Sequence, residues 1–145
     1  MNFLLFTILF IILLHWFADF VCQTHWQASN KSKNNSALLL HVASYTAILF
    51  LGMSFYFWFG NTIFDNNVPV SYHIIQLNAA FYLGAIYAAF NGTLHLITDF
   101  FTSRATTYLW KKGDIHNFFV VIGFDQFLHY VALFGSFFWL LGLIT

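Results

Sequence analysis

The stretch Leu13-Leu14-His15-Trp16-Phe17-Ala18-Asp19-Phe20 places two ionisable side chains inside a run of apolar ones. Residues four apart on a helix share a face, so His15 and Asp19 are predicted to stack one turn above the other. An ionisable residue inside an apolar segment is energetically expensive and therefore indicates a functional role. The same four-residue spacing occurs in two further pairs, His95/Asp99 and Asp125/His129.

The composition is that of a protein covered by lipid. Of 145 residues, 60% are hydrophobic and only 7% are charged, whereas about a quarter of the residues of a typical water-soluble domain are charged. The formal net charge is zero and the chain contains no glutamate, so it lacks the basic stripe that nucleic-acid binding requires. We therefore expect one integral membrane domain over residues 1–145, with membrane lipids rather than nucleic acid as its partners.

Four apolar segments are each long enough for the roughly 20 residues that a helix needs to cross a bilayer. The first lacks the basic leader and the small-residue cleavage site of a signal peptide, so we interpret it as a retained transmembrane helix. The segments predict an all-α fold, a transmembrane bundle of four antiparallel helices. Their predicted bounds are about residues 3–22, 37–59, 73–101 and 117–144.

The charged residues predict the orientation of this bundle. All five basic residues lie in the first and third connections, about residues 23–36 and 102–116, and none lies in the second, a turn at about residues 60–72. Because cytoplasmic connections are enriched in lysine and arginine, both termini should be outside and the protein should cross the cell's inner (cytoplasmic) membrane several times. Four lysines are interpreted as determinants of this topology, and they could also attract an anionic substrate or lipid headgroup. They are Lys31, Lys33, Lys111 and Lys112.

Seven histidine and aspartate side chains are predicted to lie at one depth. With a rise of about 1.5 Å per residue, each lies within a few turns of the cytoplasmic end of its helix. Helices that run in opposite directions reach this layer from opposite ends of the sequence, so chance placement would rarely produce such agreement. The seven residues are His15, Asp19, His41, His95, Asp99, Asp125 and His129.

Imidazole nitrogen and carboxylate oxygen together predict a divalent metal site. These ligands suit zinc first, and also manganese or ferrous iron. One or two such ions would balance aspartates held in a layer of low dielectric constant. One of Asp19, Asp99 and Asp125 is a candidate general base. Four nearby residues are expected to orient ligands by hydrogen bonds: Gln23, Ser44, Asn91 and Gln126. Three further histidines are expected to lie outside the site: His25, His73 and His116.

Several motifs resemble those of one family. They are Leu14-His15-Trp16-Phe17-Ala18-Asp19-Phe20-Val21-Cys22-Gln23-Thr24 followed by Asn30-Lys31, then Leu40-His41-Val42, Asn91-Gly92-Thr93-Leu94-His95-Leu96-Ile97-Thr98-Asp99 and Phe124-Asp125-Gln126-Phe127-Leu128-His129. The chain thereby resembles the family catalogued as domain of unknown function 3307, small multi-pass membrane proteins of bacteria and their phages. The resemblance implies a bacterial or phage inner membrane and no particular activity. In arrangement alone, the layer is also similar to membrane-embedded zinc hydrolases such as alkaline ceramidases.

The leading hypothesis is a membrane-embedded, metal-dependent hydrolase that acts on a lipid or another amphiphile from the cytoplasmic leaflet. The first alternative is a proton or metal-ion transporter that uses the same layer, where a homo-oligomer could build the path between chains. The second alternative is a non-catalytic membrane interaction or phage-accessory protein in which the polar layer only specifies the fold.

Overall fold

Helices make up every regular element of the part of the chain that is described. The computed structural model describes residues 3–64 and 70–144, with side chains over 4–59 and 77–143. In chain order the elements are α1 (Phe3–Trp16), a π-helical turn (Phe17–Val21), α2 (His25–Asn30), α3 (Asn35–Phe64), α4 (Val70–Lys112) and α5 (Ile115–Ile144).

Four stretches are long and apolar enough to cross a membrane, which confirms the predicted fold class. Helix α4 packs against both α3 and α5, while α1 and the π-helical turn contact α3. The placement of both termini outside and the antiparallel order of the spans stay predictions. The four candidate spans are Leu4–Val21, Asn35–Phe59, Leu77–Lys112 and Ile115–Leu143.

Helix α4 is longer than predicted at its C-terminal end. The predicted basic loop from Thr102 is helical as far as Lys112. Hydroxyl residues of this extension bond back to their own helix: the Thr106 hydroxyl donates to the carbonyl of Thr102 (2.9 Å) and that of Thr107 to the carbonyl of Ser103 (2.8 Å). Polar residues of this kind have low hydropathy, so the segment was predicted as a loop. Of the turn predicted at residues 60–72, positions 65–69 lie outside the described residues, as does the side chain of His73.

Two residues join α4 to α5. Gly113 has a positive φ of 78°, and its N–H and that of Asp114 bond back to the carbonyls of Trp110 (3.1 Å) and Leu109 (3.0 Å). This is the Schellman arrangement, which favours glycine because a Cβ is strained at positive φ. Asp114 then caps α5 by accepting from the N–H of Asn117 (3.3 Å). The predicted 15-residue connection is therefore a tight turn that fixes α5 against α4.

The π-helical turn corrects the register of the first span. Thr7, Ile11, His15 and Asp19 are all buried at strict four-residue intervals. On an α-helix each such step overshoots a full turn by about 40°, so three steps would carry Asp19 away from the interior. The wider π-helical turn rotates less per residue, and Asp19 therefore stays on the buried face.

Helices α3 and α4 approach closely where glycine faces a hydroxyl residue. A Cβ added at Gly84 would meet the backbone nitrogen of Ser54 at 2.9 Å, and one at Gly92 would collide with the side chain of Thr46. Small residues at helix contacts let two backbones come together in membrane proteins. This close approach brings His41 on α3 and His95 on α4 next to each other.

Candidate metal centre

Each of the four spans contributes polar side chains to one buried cluster. His15 and His41 are 0% exposed, and Asp19, His95, Asp99 and His129 are at most 3% exposed. Asp125 is half-buried, with 14% of its side chain exposed. Burial of so many ionisable groups is unfavourable unless each finds a partner or a metal ion.

Four of these residues form the first group, in which one atom of each faces a common point. His41 Nε2 lies 3.0 Å from His95 Nε2, 3.2 Å from Asp19 Oδ1 and 3.3 Å from Asp99 Oδ2. His95 Nε2 lies 3.5 Å from Asp19 Oδ1 and 3.6 Å from Asp99 Oδ2. Five of the six edges of a tetrahedron are thus 3.0–3.6 Å long.

These five distances match the ligand shell of a zinc ion. In a tetrahedral site the distance between ligands is about 1.6 times the metal–ligand distance, so ligands at about 2.0–2.1 Å stand about 3.3–3.4 Å apart. Two imidazole nitrogens and two carboxylate oxygens are also ligands that zinc accepts. The first group therefore has the composition and the size of a metal site.

Asp99, Asp125 and His129 form a second group that shares Asp99 with the first. His129 Nε2 lies 3.4 Å from Asp99 Oδ1 and 3.5 Å from Asp125 Oδ1. Thr102 Oγ1 donates to Asp125 Oδ1 (2.6 Å), and Gln126 Nε2 donates to Asp125 Oδ2 (3.0 Å). These two hydrogen bonds fix the plane of a carboxylate that is otherwise only partly enclosed.

His15 lies beside the cluster but in neither group. Its Nδ1 is 3.2 Å from the Tyr45 hydroxyl and its Nε2 is 3.2 Å from Gln126 Oε1. Asp19 Oδ2 is 3.9 Å from that Nε2. With both ring nitrogens facing other partners, His15 is placed to position Gln126 and Tyr45 rather than to face the centre of the first group.

Lys31 contacts the cluster directly, which the sequence did not predict. Interpreted as a determinant of topology that could also attract an anionic substrate or headgroup, it places Nζ 2.7 Å from Asp99 Oδ2 and 3.5 Å from His41 Nε2. The capping box of Thr24 and Gln27 starts helix α2, and Lys31 follows at its C-terminal end. Three carboxylates against one ammonium leave two negative charges, which is the charge that one divalent cation neutralises.

The predicted orienting residues divide into two sets. Gln126 contacts the cluster directly, and Gln23 donates to the backbone carbonyl of Asp19 (3.0 Å). Ser44 bonds the carbonyl of His41, whereas Asn91 pairs with Ser136 elsewhere in the interior. An unpredicted neighbour is Tyr45, whose ring stacks on the His95 imidazole with centroids 3.9 Å apart. His25 and His116 are exposed and belong to neither group.

A cavity of about 340 Å³ reaches the cluster from the side of Lys31. Asp19, Asp99 and Asp125 all line it. Hydroxyl groups of the α4 extension form one wall, and apolar side chains complete it. The remaining lining is Phe20, Gln23, Ala28, Lys31, Ser32, Thr102, Ser103, Thr106, Thr107, Ile122 and Gln126.

Comparison of the chain with protein-family models, with curated proteins and with solved structures finds no match. The interpretation of the site therefore depends on its own geometry.

Proposed function

We propose that this chain is a membrane-embedded, metal-dependent hydrolase that acts on a lipid or another amphiphile from the cytoplasmic leaflet. The observation that carries the proposal is the set of five ligand-to-ligand distances of 3.0–3.6 Å in the first group. Zinc is the first expectation, because two imidazoles and two carboxylates at this spacing fit its tetrahedral shell.

The residues of the site have distinct roles in this proposal. His41 and His95 would hold the ion together with one or both of Asp19 and Asp99. With three protein ligands a position stays open for water, whose pKa a bound divalent ion lowers. The three aspartates line the cavity, so a carboxylate oxygen that is not a ligand is placed to take a proton from water. Lys31 Nζ stands at the same wall and suits an anionic part of the substrate.

The cavity supports an amphiphilic substrate. Its volume of about 340 Å³ is at the small end of ligand sites, so it fits a headgroup rather than a whole lipid. Its wall combines hydroxyl residues such as Thr106 with the apolar side chains of Phe20 and Ile122. A headgroup would enter the polar part while acyl chains stay in the bilayer.

The interior beyond the cluster favours a hydrolase over a transporter. Tyr45, Tyr87 and Leu133 are each at most 1% exposed and belong to one apolar core with Leu49 and Met53. Tyr87 donates to the carbonyl of Leu133 (3.1 Å), which links α4 to α5 one turn past His129. Among the described residues, the cavity reaches the cluster from one side, and on the other the packing is mainly apolar, with Asn91 and Ser136 hydrogen-bonded to each other.

The proposal also covers the membrane in which the chain lies and its topology there. The basic connections and the four spans favour a multi-pass inner-membrane protein with both termini outside. From the resemblance of the motifs quoted above, we also propose that the chain belongs to the domain of unknown function 3307 family and has a bacterial or phage origin.

The first experiment measures bound metal and hydrolysis on the same sample. The full chain is purified in mild detergent, its metal content is determined, and release of fatty acid or phosphate from a panel of fluorogenic lipid esters is followed. We expect about one equivalent of zinc or more, with metal and hydrolysis both lost in His95→Ala and both kept in His116→Ala, the matched exposed histidine. Less than about a tenth of an equivalent, unchanged by His95→Ala, would contradict the proposal.

A further inference from the structure

We infer that the second group, Asp99, Asp125 and His129, takes its own divalent ion, so that the site is a two-metal centre bridged by the Asp99 carboxylate. The inference deepens the proposed function and rests on it, since it presumes that the first group holds a metal ion. Three side chains from two helices, rather than an acidic cluster alone, supply the ligands.

The carboxylate of Asp99 is divided between the two groups. Its Oδ2 faces His41 and His95 of the first group, and its Oδ1 faces His129 of the second at 3.4 Å. A carboxylate that offers one oxygen to each side is the bridging arrangement found in carboxylate-bridged metal centres of helical bundles. Two metal ions joined in this way stand about 3.5–4 Å apart, close enough to act on one substrate group.

The Nε2 atom of His129 points to a ligand at the second group. The residue is only 3% exposed, and this nitrogen forms no directed hydrogen bond with any described residue, although two carboxylate oxygens lie within 3.5 Å. A protonated Nε2 would be expected to donate to one of them, because buried polar groups are rarely left unpaired. A divalent cation placed among this nitrogen and the two carboxylate oxygens would be bound by all three atoms.

The two positions differ in access. The first group offers four possible protein ligands and the second offers three. Three protein ligands leave a position open on a tetrahedral ion, as in catalytic zinc sites. Because Asp125 lines the cavity and is the more exposed ligand, the second ion is the one that a substrate oxygen would reach.

Titration with Mn²⁺ tests this inference in the full chain. After chelator treatment in detergent, bound Mn²⁺ is counted by equilibrium dialysis and its electron paramagnetic resonance spectrum is recorded. We expect two ions per chain with an exchange-coupled spectrum. His129→Ala and Asp125→Asn should each retain one ion, with the simple six-line spectrum of isolated Mn²⁺. The matched controls His116→Ala and Asp114→Asn should keep both ions and the coupling.

The outcomes separate this inference from the proposed function. A single ion in the unaltered chain, also retained by His129→Ala, overturns the two-metal centre and leaves the proposed function standing. Two ions that persist in both variants also overturn it, because the second ion then binds elsewhere. No bound ion at all overturns both proposals. Should His129→Ala fail to fold, Asp125→Asn gives the same answer, since it preserves side-chain shape at a half-buried position.

Discussion

Replacing Lys31 with methionine should tighten metal binding. The Lys31 ammonium lies 2.7 Å from Asp99 Oδ2, an oxygen that the first ion would also need. Direct repulsion between the ammonium and a divalent ion about 4 Å away would be about 8 kcal/mol at an effective dielectric constant of about 20. That figure is not reached, because the long side chain is 19% exposed and can extend into the cavity when the ion arrives.

The expected gain in zinc affinity is therefore set by the Lys31–Asp99 ion pair, which metal binding must break. A hydrogen bond to a charged group contributes about 1.5–3 kcal/mol, and each 1.4 kcal/mol is tenfold in affinity. Lys31→Met should lower the zinc dissociation constant by about 10- to 100-fold. It should also lower the melting temperature of the metal-free protein, since Asp99 then loses its counter-charge.

Competition with a chromophoric chelator in detergent measures this change. Lys33→Met is the matched control, because it removes the same charge at an exposed position two residues away, and it should change the dissociation constant less than threefold. If Lys31→Met binds zinc no more tightly than this control, or more weakly, the reasoning that lysine and metal compete for Asp99 is wrong.

Three further predictions concern the supporting structure. Gly84→Ala should destabilise the protein by about 1–3 kcal/mol in thermal unfolding, because its Cβ would stand 2.9 Å from the Ser54 backbone, whereas Gly135→Ala meets nothing within 4 Å and should be neutral or stabilising. Tyr45→Leu should weaken zinc binding about two- to tenfold, through loss of the ring stacked on the histidine, and Tyr45→Phe should not. Hydrogen bonds from Asn117 hold the pKa of Asp114 below its usual value. The cap that Asp114 provides to α5 is therefore present at neutral pH and is lost as the pH falls through that lowered pKa. Thermal melts should therefore show an acid-dependent loss of stability that Asp114→Asn lacks.

The spans and most of the cluster could be predicted because their signals are local. Length and hydropathy identify a span without knowledge of its neighbours, and the pair His95/Asp99 shows its shared face by spacing alone. Depth then follows from counting turns, so residues on different helices could be assigned to one layer. The structure places six of the seven candidate ligands in the two groups and leaves His15 beside them.

The remaining features depend on contacts that no local pattern contains. Lys31 resembles any lysine of a polar connection, and its approach to Asp99 follows from how helix α2 folds back after its capping box. The division of the Asp99 oxygens requires the relative rotation of α3, α4 and α5, which spacing along one helix does not determine. The α4 extension was not predicted because its polar residues, among them Thr102 and Thr106, carry no hydropathy signal of a membrane span.

The π-helical turn at Phe17–Val21 makes the length of this short segment matter more than its hydrophobicity. Any apolar residue would suit the exposed positions Phe17 and Val21, so their identity should drift freely over evolution. A homologue one residue shorter here would still span the bilayer, yet its aspartate would rotate out of the interior and the centre would lose a carboxylate. Single-residue deletions should thus be rarer in this segment than substitutions.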